Sequence, residues 1–370
     1  MVTAIQEKLF GPSEASQSLA YTPVIKDLAG ELAALADVPD DIRQVIAPVI
    51  ELNPIASRRR TDQVIRAVRR ACGQDALVFL GLAHGGNDNE RAATISSAAE
   101  AADARGLMWQ PAVWMGHPGA DYDLALRYAR AKTGGLVRVA MRKRAEALIT
   151  DIEGFVSASG GKFLPLALLL DFGQIGPTDH RVSMERLLRE VLTRLPKPGG
   201  WTSVGFAASS IPTALTQIPE DGADEFPRVE WAIYESIRQS SDGLARLPIF
   251  GDYTVVKPSQ QKRAGRGIAV PVNLRYTLET STRIIKGREL SPDQDHSVFR
   301  DLVRDFVRSD KFAGATYSAG DARIHQLALQ RAGIGTTEQW RRADVCHHIT
   351  YVGRQVMGTS GIVGAKQKIS

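Results

Sequence analysis

The sequence predicts an α/β chain: a TIM-like (β/α)8 barrel followed by a C-terminal β-hairpin and a helical extension. Three observations carry this. Eight short apolar runs recur between Tyr21 and Tyr253, with helical periodicity between them. Strands that alternate with helices call for parallel neighbours joined by crossovers. Six of the runs end in a polar residue, which suits a barrel whose site is built at the carboxyl ends of its strands. An open doubly wound sheet is the alternative, but no glycine fingerprint for phosphate follows the first run.

In chain order, strands are predicted over Tyr21–Lys26, Val45–Leu52, Ala76–Ala83, Leu107–Met115, Leu136–Arg142, Phe163–Asp171, Thr202–Ser209 and Leu247–Tyr253. Between them, Val64, Ile65 and Val68 form an apolar stripe after Thr61, and Ala92, Ile95, Ala99 and Ala102 another after Asp88. Met184, Leu187, Leu188, Val191, Leu192 and Leu195 follow Thr178–Asp179 as cap, and Val229, Ile233 and Ile237 precede the eighth strand. Side chains alternate along a strand, so the polar ends can be assigned to faces. Arg138 and Arg142 oppose the apolar Val137, Val139 and Met141 and are expected to point into the barrel. Glu51 follows Ala47 and Val49, Asp171 follows Ala167 and Leu169, and Asp252 follows Phe250. Lys26 closes the first strand and Ser209 the seventh.

Beyond the eighth strand, Ile268–Thr277 and Thr282–Arg288 read as a hairpin. Phe299, Leu302, Val303, Phe306 and Val307 then mark an amphipathic helix, a candidate for the barrel's eighth, and helical segments follow around Asp321–Arg331 and Thr337–Val356. The expected organisation is a tail over 1–20, a barrel core over 21–256, a basic hairpin with helices packed on it over 257–357, and a second tail over 358–370.

A balance of 44% hydrophobic and 24% charged residues excludes wholesale disorder and fibrous repeats. No apolar run is long enough for a membrane helix, and no basic start precedes an apolar one, so a cytoplasmic protein is expected. Cys72 and Cys346 form no CxxC. Charge is uneven. Lys257, Lys262, Arg263, Arg266, Arg275, Arg283, Lys286 and Arg288 face one acid, Glu279, giving this stretch +7 and leaving −2 elsewhere. Such a stretch can bind nucleic acid or fold back on acidic groups of the barrel. Arg58, Arg59, Arg60, Arg66, Arg69 and Arg70 read as a solvated helix face.

Standard catalytic signatures are missing. Gly160-Gly161-Lys162 precedes a strand rather than a helix, so it is no phosphate loop. His347-His348 would diverge by about 100° on a helix, Ser209-Ser210 lacks a nucleophile elbow, and His84-Gly85-Gly86 reads as a loop.

The strand ends carry a resemblance. Pro23-Val-Ile-Lys26 with Gly30-Glu31, Pro48-Val-Ile-Glu51, Leu168-Leu-Leu-Asp171, Ser209-Ser-Ile-Pro212 and Gly251-Asp-Tyr253 appear in that order. Leu274-Arg-Tyr-Thr277, Tyr317-Ser-Ala-Gly-Asp321 and Trp340 through His347-His348 follow. Together they resemble the phage-type beta protein family from Tyr21 to Val356. One departure is Leu28, where the pattern has a second base. The resemblance implies a bacterial or phage accessory protein of conflict or defence loci and supplies no mechanism.

Two functional classes fit. In one, Glu51, Asp171 and Asp252 act as acid, base or ligands for Mg²⁺ or Mn²⁺, with Lys26, Arg138 and Arg142 stabilising a phosphate or carboxylate substrate. Ser209, Tyr253, Arg275 and Asp321 join Arg138 as ligand-binding candidates. In the other, the barrel is a non-catalytic binding or scaffold subunit, with a protein partner, self-association, or nucleic acid on the basic hairpin. If the mouth is open, Asp171→Asn and Arg142→Ala are both expected to spare the fold.

Overall fold

Parallel strands β1 (Tyr21–Lys26), β2 (Val49–Leu52), β3 (Val78–Leu82), β4 (Trp109–Trp114), β5 (Gly135–Ala140), β6 (Leu166–Gln174), β7 (Val204–Ser209) and β9 (Ile249–Asp252) close into a barrel in that order, β9 pairing back onto β1. The computed structural model describes residues 19–116, 119–158, 165–175, 180–212, 214–256, 258, 271–289, 295–329 and 334–359. Gly160-Gly161-Lys162, the tails over 1–18 and 360–370, and the cap at Thr178–Asp179 lie outside them. All eight expected barrel strands form, most of them shorter than the apolar runs. β1 matches its run, and β6 runs past Asp171 to Gln174 through a bulge between Asp171 and Gly173.

Two apolar layers follow from strand alternation. Val24, Val49, Phe79, Leu136, Leu169 and Ala207 fill the interior, as expected for a barrel that is a packed core rather than a pore. Ile25, Ile50, Leu80, Val137, Leu168 and Phe206 face the helices outside. Those helices start where local chemistry dictates. The first of them, α1 (Ala29–Asp37) and the short α2 (Asp40–Arg43), follow β1. Ser57, not Thr61, caps α3 (Arg58–Cys72), its side chain accepting from the Arg60 N–H. A reciprocal Asn87–Glu90 capping box opens α4 (Asp88–Ala104). After α5 (Ala120–Ala131) and α6 (Ala145–Ala158), the stripe of α7 (Arg181–Thr193) buries Leu188, Val191 and Leu192.

One strand escapes the sequence pattern. β8 (Gly222–Pro227), whose Gly-Ala-Asp-Glu-Phe-Pro has no apolar alternation, precedes α8 (Val229–Gln239). It pairs antiparallel with β11 (Ser281–Glu289), which pairs in turn with β10 (Pro271–Thr277). The expected hairpin is therefore two strands of a three-stranded sheet whose edge is supplied from within 21–256.

The eighth helix also differs from expectation. Phe299, Val303 and Phe306 of α9 (Ser297–Val307) belong to a second core with β10, β11 and α10 (Ala319–Leu329), not to the barrel. The barrel's outer layer is completed by Val345, Cys346, Ile349, Val352 and Val356 of α11 (Thr337–Thr359), which runs into the expected tail at Gly358. Trp340 and Ala343, one turn earlier on α11, sit in the second core. A single helix thus joins both. Arg342 of α11 binds Asp37 of α1 through both carboxylate oxygens at 2.6 and 2.7 Å. No helix among the described residues is long and apolar enough to cross a membrane.

Candidate ligand site at the mouth of the barrel

Arg138 stands on the inward face of β5 and is 1% exposed. Its Nη1 donates to Glu51 Oε1 at 2.7 Å, and its Nη2 to Asp171 Oδ2 at 2.6 Å. The same Nη2 lies 2.7 Å from the Tyr253 hydroxyl, which itself donates to Asp171 Oδ2 at 2.8 Å. Asp171 Oδ1 accepts from the Gly173 N–H at 2.7 Å, across the bulge in β6. Asp171 therefore holds its own strand end rather than capping a following helix. Burial alone would lower the Arg138 pKa, but Tyr253, Asp171 and Glu51 raise it beyond its ordinary range. Burial, reinforced by Asp171, pushes Tyr253 well above the usual phenol. The guanidinium stays charged and the phenol stays protonated, so this floor is an ion-pair network whose cation is fully matched.

Above the floor, a cavity of about 70 Å³ is lined by Glu51, His84, Trp114, Arg142, Asp171 and Tyr253, among others. The Trp114 ring carries the Arg138 guanidinium 4.0 Å from its centroid and the His84 ring stacked at 4.8 Å. Arg142 is the rim. It is exposed, its Nη2 lies 4.0 Å from where a Cβ on Gly173 would project, and among the described residues it makes no ion pair. Glu51 binds Arg138 through Oε1, and its other oxygen makes no hydrogen bond among the described residues. A fixed floor, an available carboxylate oxygen and an uncommitted cation meet at one opening.

The family model of the beta protein matches residues 21–354, nearly the whole described chain. The chain belongs to the beta protein family. No curated protein matches it. Among solved structures it is similar to a putative dihydrodipicolinate synthase family protein from Coccidioides immitis, with 13% identity over 94% of this chain and 96% of that one, at a TM-score of 0.36.

The candidate site residues divide between this mouth and two other places. Glu51, Arg138, Arg142 and Asp171 converge as the alternation implied, and Tyr253 joins them because the last strand turns inward the face opposite to the expected one. Lys26 and Ser209 are buried at their strand ends but do not line the cavity. Asp252 faces the other way. It shares with Phe250 the helix-facing side of β9, where it accepts from Tyr21 at 2.6 Å and binds His348 Nε2 at 2.9 Å. The inward assignment of Asp252 fails because Phe250 packs against Trp231 and Tyr234 of α8, outside the barrel. The three-carboxylate set expected for Mg²⁺ or Mn²⁺ does not assemble: a guanidinium bridges Glu51 and Asp171, and Asp252 lies beyond the wall. No cluster of three or more His, Cys, Asp or Glu side chains suited to a metal occurs among the described residues.

Asp321 is fully buried in the second core, accepting from Tyr276 at 2.6 Å and lying 2.9 Å from His347 Nδ1. His347 Nε2 faces the Thr277 carbonyl at 2.9 Å, while His348 Nδ1 meets the Thr277 hydroxyl at 2.7 Å. The paired histidines diverge as expected: both meet Thr277, but they serve different carboxylates, Asp321 and Asp252. Burial holds His348 below its ordinary pKa. In spite of burial, His348 and Tyr21 hold Asp252 low as well, so a neutral His348 donates to a charged Asp252.

The described bases of the hairpin fold back on the protein. Arg283 pairs with Glu225 at 3.2 Å and Arg288 with Asp221 at 2.6 Å, and Lys286 donates to the carbonyls of Leu215 and Ile218. Their acids lie in and beside β8, not at the mouth. Lys257, Lys262, Arg263 and Arg266 lie outside the described residues. On α3, Arg58 pairs with Glu100 and Arg66 with Asp62, as a solvated face would. Sequence reasoning missed Trp114. Its signal was present: Gln110, Ala112 and Trp114 alternate on one face, and Trp114 pairs in register with Arg138.

Proposed function

We propose that the mouth of this barrel binds a small anionic ligand, a phosphate or carboxylate, with Arg142 as its direct cationic contact and Glu51 accepting a ligand hydroxyl or amine. The observation that carries this reading is the uncommitted Arg142 guanidinium above a floor whose own cation is fully engaged by Glu51, Asp171 and Tyr253. A preorganised floor costs no rearrangement on binding, so the rim charge can act on the ligand alone. We place this binding in a bacterial or phage accessory protein, the setting the family resemblance implies; the family match over 21–354 is its support.

Inorganic phosphate titrated at constant ionic strength is the probe. Wild type should gain thermal stability with phosphate through ligand linkage. Arg142→Ala should melt at the same temperature without phosphate and lose that gain, its apparent affinity falling about tenfold or more. Equal gains in both proteins would refute the assignment of Arg142.

A further inference from the structure

A second cavity, also of about 70 Å³, lies where the loop after β9 meets β10 and the first two turns of α11. Val255, Val256, Asn273, Arg275, Arg341 and Asp344 form most of its wall. The loop divides the two cavities, since Tyr253 and Pro258 line the mouth and Val255 and Val256 line this one. Three polar groups here are left incomplete by the fold. Arg275 donates through Nη1 to the Val255 carbonyl at 2.6 Å, but its Nε is buried without a partner. Asp344, 3% exposed, accepts the Arg275 backbone N–H at 3.0 Å through Oδ2, while its Oδ1 is buried without a partner. Arg341 makes no ion pair among the described residues, while the adjacent Arg342 takes Asp37.

Leaving such groups unsatisfied is expensive, about 1–3 kcal/mol for each buried atom. Burial drives Arg275 down to about 10 and Asp344 well above the usual carboxyl range, so Asp344 gains its charged form only when a ligand group of opposite polarity sits against it. Neither arginine neutralises Asp344 by direct contact, so the wall presents two guanidinium forks beside one acceptor. That is the complement of an anion with a hydrogen-bond donor one bond away. The apolar Val255 and Val256 leave room for a short carbon skeleton and no second charge.

We propose that this cavity is a second ligand site, separate from the mouth, for a small carboxylate carrying a donor on the adjacent carbon, an α-hydroxy or α-amino acid. The carboxylate bridges Arg275 Nε and Arg341, and the hydroxyl or ammonium donates to Asp344 Oδ1.

Glycolate, glycine and acetate distinguish the parts. In thermal titrations at constant ionic strength of the full-length Arg142→Ala variant, whose mouth lacks its cation, glycolate or glycine should still stabilise the protein. Acetate, which lacks the donor, should bind about tenfold more weakly. Arg341→Ala added to Arg142→Ala, at a half-exposed position that leaves the buried groups in place, should fold normally and lose the remaining stabilisation. Asp344→Asn should narrow the difference between glycolate and acetate. In the Arg142→Ala background, no stabilisation by glycolate or glycine, an equal response to acetate, or an undiminished response after Arg341→Ala would each overturn the proposal. A response lost in Arg142→Ala but kept in Arg341→Ala would assign the ligand to the mouth instead.

Discussion

Arg138 and Arg142 are two residues of one strand-end face, separated by four positions, and they do opposite jobs. Arg138 is sealed between Glu51, Asp171 and Tyr253, while Arg142 is open. Removing one partner of a buried pair leaves uncompensated charge, whereas an exposed charge away from such networks is nearly neutral to stability. Arg138→Met should therefore cost about 3–5 kcal/mol in urea unfolding at pH 7, because Glu51 and Asp171 would remain buried without their cation. A loss below about 1 kcal/mol would show that the floor is not held by this pair. Asp171→Asn cannot be the silent probe that an open mouth implied. Glu31 offers a pH-resolved test. Its Oε2 accepts from the Lys26 N–H at 2.8 Å, its Oε1 is unpartnered, and burial lifts its pKa to about 7 from 4.5. The folded state holds this proton more tightly than the unfolded chain. Its stabilising contribution is thus full below about pH 4.5 and is lost as pH rises to 7. Glu31→Gln removes that loss, so the stability of the variant relative to wild type should rise by on the order of 3 kcal/mol between pH 4.5 and 8. A flat difference across that range would show that Glu31 titrates normally.

At the scale of elements, α11 decides how the extension sits on the barrel. Its residues 345–356 cover the barrel and its residues 340–343 enter the second core, so its position must satisfy both at once. Polar pairing fixes the register. Thr277 of β10 meets His347 through its carbonyl and His348 through its hydroxyl, and those rings reach Asp321 and Asp252 on opposite sides of the helix. Close approach of α10 sharpens the constraint. A Cβ on Gly320 would sit 2.6 Å from the His347 backbone nitrogen and closer still to the Ala343 carbonyl. Ordinarily Gly to Ala inside a helix gains about 1 kcal/mol. Here the contact is backbone on both sides and cannot give, so Gly320→Ala should destabilise by about 1–3 kcal/mol. Hydrogen exchange should accelerate in α10 and α11 before the barrel strands; a stabilised variant would mean that the helices can separate at no cost.

Across the whole molecule, the barrel and the extension are one construction. β8, in the chain before the last barrel strand, edges the extension's sheet, and α11, at the far end of the chain, supplies the barrel's eighth outer helix. Removing residues 337–370 would uncover the outer face of β1 and leave the Tyr21–Asp252 pair without His348 on its other oxygen. A chain ending at Thr336 should lose cooperative thermal unfolding and bind a hydrophobic dye at 25 °C. A sharp melt within a few degrees of the full chain would show that the barrel is self-sufficient.

The sequence by itself determined the eight-strand barrel, because buried parallel strands need apolar runs and the crossovers between them need striped helices, and both are local patterns. It also determined most of the mouth, since alternation along β2, β5 and β6 places Glu51, Arg138, Arg142 and Asp171 on one face whatever their neighbours are. Tertiary structure decided what depends on partners distant in the chain. Asp252 faces outward because Phe250 has an aromatic cluster waiting on α8, which no strand pattern displays. β8 is a strand only because β11 offers it an edge, its own residues giving no alternation to read. The eighth helix is α11 rather than α9 because two amphipathic stripes competed for one place. The winner is the helix whose buried histidines also find Asp252, Asp321 and Thr277.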